Sequence, residues 1–219
     1  MSPSADFIRI SNFYVGVFLP ASVALPLSIG VYKRVYAQPG LQLVFTYLVV
    51  SGVANILASL IAQAHRNNLP LLHIYTIIEL LLILAYYDRI LTERPLHQLI
   101  HVLGVGFSIA AILNFLLLQS IFAFNSYPRA LAAIIVMLLG CYYFLTEDDF
   151  KSGAQTHKWM NFGLLQYFGS AVFMFAFSNV LYEHTSTQGQ YVIGILHATL
   201  VLIMYGLVAV GFMGAEKNG

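Results

Sequence analysis

The amino-acid sequence predicts an all-α membrane protein: one domain over residues 1–219, a bundle of seven transmembrane helices with its N-terminus outside and its C-terminus in the cytoplasm. Three observations carry this expectation. Of 219 residues, 59% are hydrophobic and 9% are charged, outside the range of an ordinary soluble domain. The apolar residues come in long blocks, close to the roughly 20 residues that cross a bilayer as a helix. Lys and Arg divide unevenly between alternate flanks, with Arg9, Arg66 and Arg129 (three) on one side and Lys33, Arg34, Arg89, Arg94, Lys151, Lys158 and Lys217 (seven) on the other. The richer side faces the cytoplasm by the positive-inside rule. In a bacterium the membrane would be the inner one.

The expected spans are residues 13–31, 41–63, 69–90, 97–122, 127–145, 159–182 and 190–213. Ser11 and Asn12 offer caps for the first, which is no secretory signal: Asp6 and Arg9 precede it, and Lys33 and Arg34 follow where a cleavage site would stand. Pro20 and Pro26 predict a bend within it. Gln38-Pro39-Gly40 closes the turn to the second span, where Ser51, Asn55, Ala58 and Ala62 form a small and polar stripe for close helix approach. The short link from His65 to Asn68 makes spans two and three antiparallel neighbours, with Asn68 as cap and Pro70 in the first turn. Thr92 with Pro95, and Ser126 with Pro128, mark the starts of spans four and five. Glu147-Asp148-Asp149 opens the longest polar segment and reads as solvent-facing charge, while Trp159 reads as an interfacial anchor for span six. Thr187 and Gln190 have capping-box spacing before span seven.

Composition also excludes several classes of function. A net charge of +1 provides no basic field for nucleic acid. The single cysteine, Cys141, permits no internal disulfide and reads as a packed thiol. Phosphate-loop, dinucleotide, serine-elbow, haem and paired-cysteine patterns are absent.

Chemistry concentrates on a few polar residues within the apolar blocks. Glu79 is the only carboxylate between Leu69 and Tyr87. It lies about 15 Å along its helix, near mid-bilayer, so its carboxyl must be protonated or must face a polar interior. Asn55 reaches a similar depth on span two, and Tyr75 and Thr76 stand one turn before Glu79. His73 and His197 share a shallower level, about 10 Å inside the outer helix ends. His73 is six residues from Glu79, roughly 120° around the helix, so the two need not converge. Asn114, Gln119, Gln166, Asn179, Glu183 and His184 can line or rim the same region. Span six adds a polar seam of Asn161, Gln166 and Ser170 beside many phenylalanines, an arrangement that suits an apolar ligand or plain helix packing. His97 and His101, one turn apart, form a second cluster compatible with metal or with headgroup contact.

The span count and external N-terminus resemble those of seven-helix receptors and rhodopsins, and of membrane hydrolases of the adiponectin-receptor and ceramidase type. Span seven has no interior lysine for a retinal linkage, and His197 stands alone where those hydrolases carry paired histidines, so the chain is assigned to none of them. The first functional expectation is a membrane receptor or sensor. It would bind an apolar or amphipathic small molecule through Asn55, His73, Glu79, Asn114, Gln166, Asn179 and His197, and signal to a separate cytoplasmic protein. The second is a membrane-embedded lipid hydrolase or transferase with Glu79 as acid or base, assisted by His73 or His197 directly or through metal, with zinc as a conceivable cofactor. The third is a proton or small-solute transporter or channel.

Overall fold

A computed structural model describes residues 4–146 and 154–216, which form helices and short connections with no strand among the described residues. The long helices are α1 (Ala5–Tyr32), α2 (Leu41–Gln63), α3 (Leu69–Ile90), α4 (Arg94–Leu118), α5 (Ser126–Thr146) and α6 (Ala154–Ala176); a short α7 (Ser178–His184) and a long α8 (Thr187–Gly214) complete the chain. Six of them, α1 to α5 and α8, are long and apolar enough to cross a membrane. The 23-residue α6 falls outside that set: its first half carries Gln155, His157, Lys158 and Asn161. The span expected over 159–182 is interrupted at Phe177, whose φ of −103° and ψ of 10° leave the helical region. The acidic run Glu147-Asp148-Asp149 lies outside the described residues.

Large apolar side chains stand exposed on most helices. On α4, Leu99, Val102, Val105, Ile109, Ile112 and Leu116 repeat every three or four residues along one exposed face. Such a stripe is costly in water and expected against lipid. Cys141 is exposed on α5, which corrects the packed thiol expected for it. An apolar neighbourhood in sequence does not fix helical phase, and in a lipid-facing helix the outer face is apolar too.

Helix starts differ from expectation where a nearer group satisfies the backbone. The hydroxyl of Ser4 accepts from the Phe7 N–H at 3.3 Å, so α1 begins at Ala5, while Ser11 lies within the helix and donates to the Phe7 carbonyl at 2.7 Å. Asn67, not Asn68, caps α3 by accepting from Leu69 N–H at 2.9 Å; Asn68 donates instead to the Ala58 carbonyl of α2 at 3.2 Å. Ser186, one residue before the expected Thr187, caps α8 by accepting from Gly189 N–H at 3.3 Å. Pro20 cannot donate to the Gly16 carbonyl, and α1 adjusts by a π turn over Tyr14–Phe18, closed by Leu19 N–H on the Tyr14 carbonyl. Gly40 opens α2 at φ 84°, a conformation that other residues adopt only with strain.

Packing sets α6 between α5 and α8, while α2, α3 and α4 follow one another as neighbours and α3 also meets α5. The loosest helix is α1, which rests mainly on α8 and touches α2 much less. Tyr86, Tyr87, Tyr143, Phe168 and Phe212 fill the interior. At the junction of α3, α5 and α6 the fully buried Asn161 accepts from the Tyr87 hydroxyl at 2.5 Å and donates to the Gly140 carbonyl at 3.1 Å. Asn161→Leu leaves the buried Tyr87 hydroxyl without its acceptor and removes the added donor on the Gly140 carbonyl, and is expected to destabilise the protein by about 1–3 kcal/mol. The measurement is thermal unfolding in lipid nanodiscs, and a variant as stable as wild type would contradict that role.

Two hydrogen bonds join the start of the chain to its end. Lys33 Nζ donates to the Ala215 carbonyl and Gln38 Nε2 to the Glu216 carbonyl, each at 2.9 Å. The end of α1 and the short 3-10 turn Val35–Ala37 are thereby fixed to the end of α8.

Candidate functional site

The helices enclose a cavity of about 390 Å³, bounded by α1, α2, α3, α5, α6, α7 and α8. Its size falls in the lower part of the range typical of small-molecule pockets, about 300–1,000 Å³. Leu19, Pro20, Met174, Leu181, Ile193 and Val201 give it apolar walls. Val15 of α1 and Asn55 of α2 are exposed at its rim, on the side where these two helices touch least.

Glu79 lies against the cavity and is 4% exposed. One carboxylate oxygen, Oε1, accepts from the Tyr75 hydroxyl at 2.9 Å and more weakly from the Tyr47 hydroxyl at 3.4 Å. The other, Oε2, faces a guanidinium nitrogen of Arg129 at 3.9 Å. This separation makes an ion pair but exceeds a direct hydrogen bond. Arg129 also lies over the Phe175 ring, 4.5 Å from its centroid, and faces Tyr167. Its side chain is 8% exposed. Guanidinium stays protonated in proteins, and burying it without a counter-charge is costly, so the Glu79 carboxylate is the anion that completes the pair.

Glu79 was expected to need either a proton or a polar interior; the structure supplies the interior and a cation. Arg129 was counted among the flanking charges of the N-terminal side, yet its side chain is buried in the bundle. The correction reduces the surface count on that side to Arg9 and Arg66 and leaves the direction of the charge asymmetry unchanged. Its place in the first turn of α5, directly after Pro128, gave it the appearance of a helix-end charge. No family model, curated protein or solved structure matches this chain. The chemistry of the site is therefore read from its own residues.

Of the ligand-binding residues expected from the sequence, Asn55, Glu79 and His197 line the cavity, and Tyr75, one turn before Glu79, lines it too. His197 packs between the rings of Tyr167 and Phe175, with centroid separations of 5.7 and 5.6 Å, and its buried Nδ1 has no hydrogen-bond partner among the described residues. Three others are directed elsewhere. His73 contacts the Ala123 carbonyl through Nε2 at 3.0 Å and sets its ring edge-on to Phe115. It therefore pins the α4–α5 connection to α3, as its angular distance from Glu79 allowed. Asn114 opens a π turn at the end of α4 and donates to Gln119, which donates in turn to Ser126. Gln166 is not part of the lining, and the side chain of Asn179 lies outside the described ones.

The enzyme alternative paired Glu79 with His73 or His197, and only its zinc form needed all three together; Glu79 and His197 both line the cavity, whereas His73 is outside its lining. Among the described residues no group of three or more His, Cys, Asp or Glu is arranged to hold a metal ion. The second histidine cluster serves the α3–α4 corner, where Asp88 meets His97 Nδ1 at 2.7 Å and His101 Nε2 at 3.7 Å.

Arg129, Tyr47, Tyr167, Tyr205 and Ser51 were not foreseen as members of the site. The hydroxyls of Ser51 and Tyr205 are 3.5 Å apart, and Tyr47 reaches the Met204 sulfur at 3.8 Å as well as Glu79. Tyr47 and Ser51 share one face of α2, four residues apart, as Tyr75 and Glu79 do on α3. That spacing was the available signal.

Proposed function

We propose that this protein is an integral membrane receptor or sensor that binds an amphipathic small molecule in the cavity beside Glu79 and Arg129. The observation that carries the reading is a cavity with apolar walls, a buried ion pair on its lining, and exposed Val15 and Asn55 among its lining residues. A polar feature on the lining of an apolar pocket can fix a ligand's head, and the sparse contact between α1 and α2 would let its tail reach the bilayer. The proposed topology has seven spans, the N-terminus outside and the site in the outer half.

Signalling is assigned to α1. This helix carries the π turn and Pro20, both next to the cavity-lining Val15 and Leu19, and it is the least buried of the six apolar helices. Near the site it is joined to α8 by a side-chain hydrogen bond, Tyr14 Oη to Thr199 Oγ1 at 3.0 Å. Its other end is tied through Lys33 and Gln38 to the C-terminal end of α8. A ligand that shifts α1 would move that corner, which a separate cytoplasmic protein can read.

The test strips bound lipid from the purified protein, restores the released fraction and follows hydrogen exchange along α1. Protection of α1 is expected to rise on restoration in wild type and to stay flat in Glu79→Gln. An equal response in the two proteins would remove Glu79 from the mechanism. No response in wild type would count against the receptor reading itself.

A further inference from the structure

The ion pair at the cavity has a consequence for the head-group it can accept. Glu79 and Arg129 cancel each other's charge inside the bundle, and each is over nine-tenths buried. A ligand head bearing a net charge would add an uncompensated charge to this interior, which is strongly unfavourable; an uncharged polar head adds none. Hydrogen-bonding capacity nevertheless remains. Arg129 Nε and His197 Nδ1 are buried without partners among the described residues, and both residues line the cavity. The Nε–H can only donate and calls for an acceptor oxygen, whereas a neutral imidazole nitrogen can accept from a hydroxyl or donate to an oxygen. Leu19, Met174, Leu181 and Val201 provide the apolar continuation towards the rim at Val15 and Asn55.

Resting on the receptor reading above, we propose that the site selects an uncharged amphiphile whose head carries a carbonyl oxygen and a hydroxyl, of the monoacylglycerol type, against anionic and cationic amphiphiles of the same chain. The carbonyl oxygen accepts from Arg129 Nε–H, and the hydroxyl pairs with His197 Nδ1. The hydrocarbon chain leaves between α1 and α2 into lipid. Glu79 does not touch the head directly. Its part is to hold Arg129 neutralised, so that a second anion is not drawn into the site.

Three probes, each with one cis-monounsaturated hydrocarbon chain of matching length, test this on the protein in phosphatidylcholine nanodiscs: 1-oleoylglycerol, oleyl sulfate and oleylamine, each titrated by equilibrium binding. Wild type is expected to hold 1-oleoylglycerol at least about tenfold more tightly than either charged probe, since a buried uncompensated charge costs more than the roughly 1.4 kcal/mol that tenfold represents. Glu79→Gln leaves Arg129 without its anion and is expected to turn the preference towards oleyl sulfate. Arg129→Gln is expected to turn it towards oleylamine. Oleyl sulfate or oleylamine binding wild type as tightly as 1-oleoylglycerol overturns the charge argument and leaves a ligand-binding cavity in place. An unchanged ranking in a folded Glu79→Gln protein overturns it as well. The wild-type comparison decides the matter even if neither variant folds. If none of the three binds while α1 still responds to restored lipid, the head-group assignment falls alone; if that response is absent too, both readings fall.

Discussion

Replacing Arg129 with Met is expected to destabilise the protein by about 3–5 kcal/mol, because the Glu79 carboxylate is then left buried with no cation. Glu79→Gln should cost a similar amount by leaving the guanidinium unpaired. The double variant, Glu79→Gln with Arg129→Met, removes both charges, and its stability should return to within about 1–2 kcal/mol of wild type, since a buried ion pair is worth little against an uncharged pair of similar volume. The two phenols on Oε1 can donate to the carbonyl of the glutamine amide, so Tyr75 and Tyr47 keep an acceptor in the double variant. A double-mutant cycle on unfolding in nanodiscs measures this. Additive losses would mean that the two groups do not neutralise each other.

The second large effect is expected where α6 and α8 come closest. A Cβ on Gly211 would lie 2.9 Å from Met160 Cγ and 3.1 Å from the Thr156 carbonyl oxygen. The methionine can rotate; the backbone carbonyl cannot move without carrying α6 with it. Gly211→Leu therefore forces the helices apart and should cost about 2–3 kcal/mol, the upper part of the range for overpacking. Gly106, on the exposed side of α4, has no atom within 4 Å of its would-be Cβ. Gly106→Ala should instead stabilise by about 0.5–1 kcal/mol through helix propensity. Parallel thermal unfolding of the two variants separates packing from propensity, and equal midpoints would contradict the close approach of α6 and α8.

The apolar blocks and their turn residues made the helices legible before any coordinates, because length and hydropathy suffice to mark a membrane-crossing helix. Helical phase was much less legible. Glu79 stood out because a carboxylate deep in an apolar helix must have a reason to be there. Its cation did not stand out, since Arg129 follows Pro128 at the start of α5, where charges ordinarily meet water. His73 and Asn114 had suitable depth but the wrong direction, and both knit the α4–α5 connection together. Depth along a helix follows from counting residues, whereas direction around the bundle depends on which neighbours each face meets. The same limit hid Tyr205, one of 14 tyrosines, and Tyr47, which only its four-residue spacing from Ser51 marked.

The central claim is that a small molecule occupies the space between the Glu79–Arg129 pair and the gap between α1 and α2. A cryo-electron microscopy map of the wild-type protein in lipid nanodiscs, at a resolution that separates lipid from side chains, tests it most directly. The account predicts elongated non-protein density that begins beside Arg129 and His197 and leaves the bundle past Val15 and Asn55. A map with α1 closed against α2, Arg129 turned away from Glu79 and no space between them would contradict it.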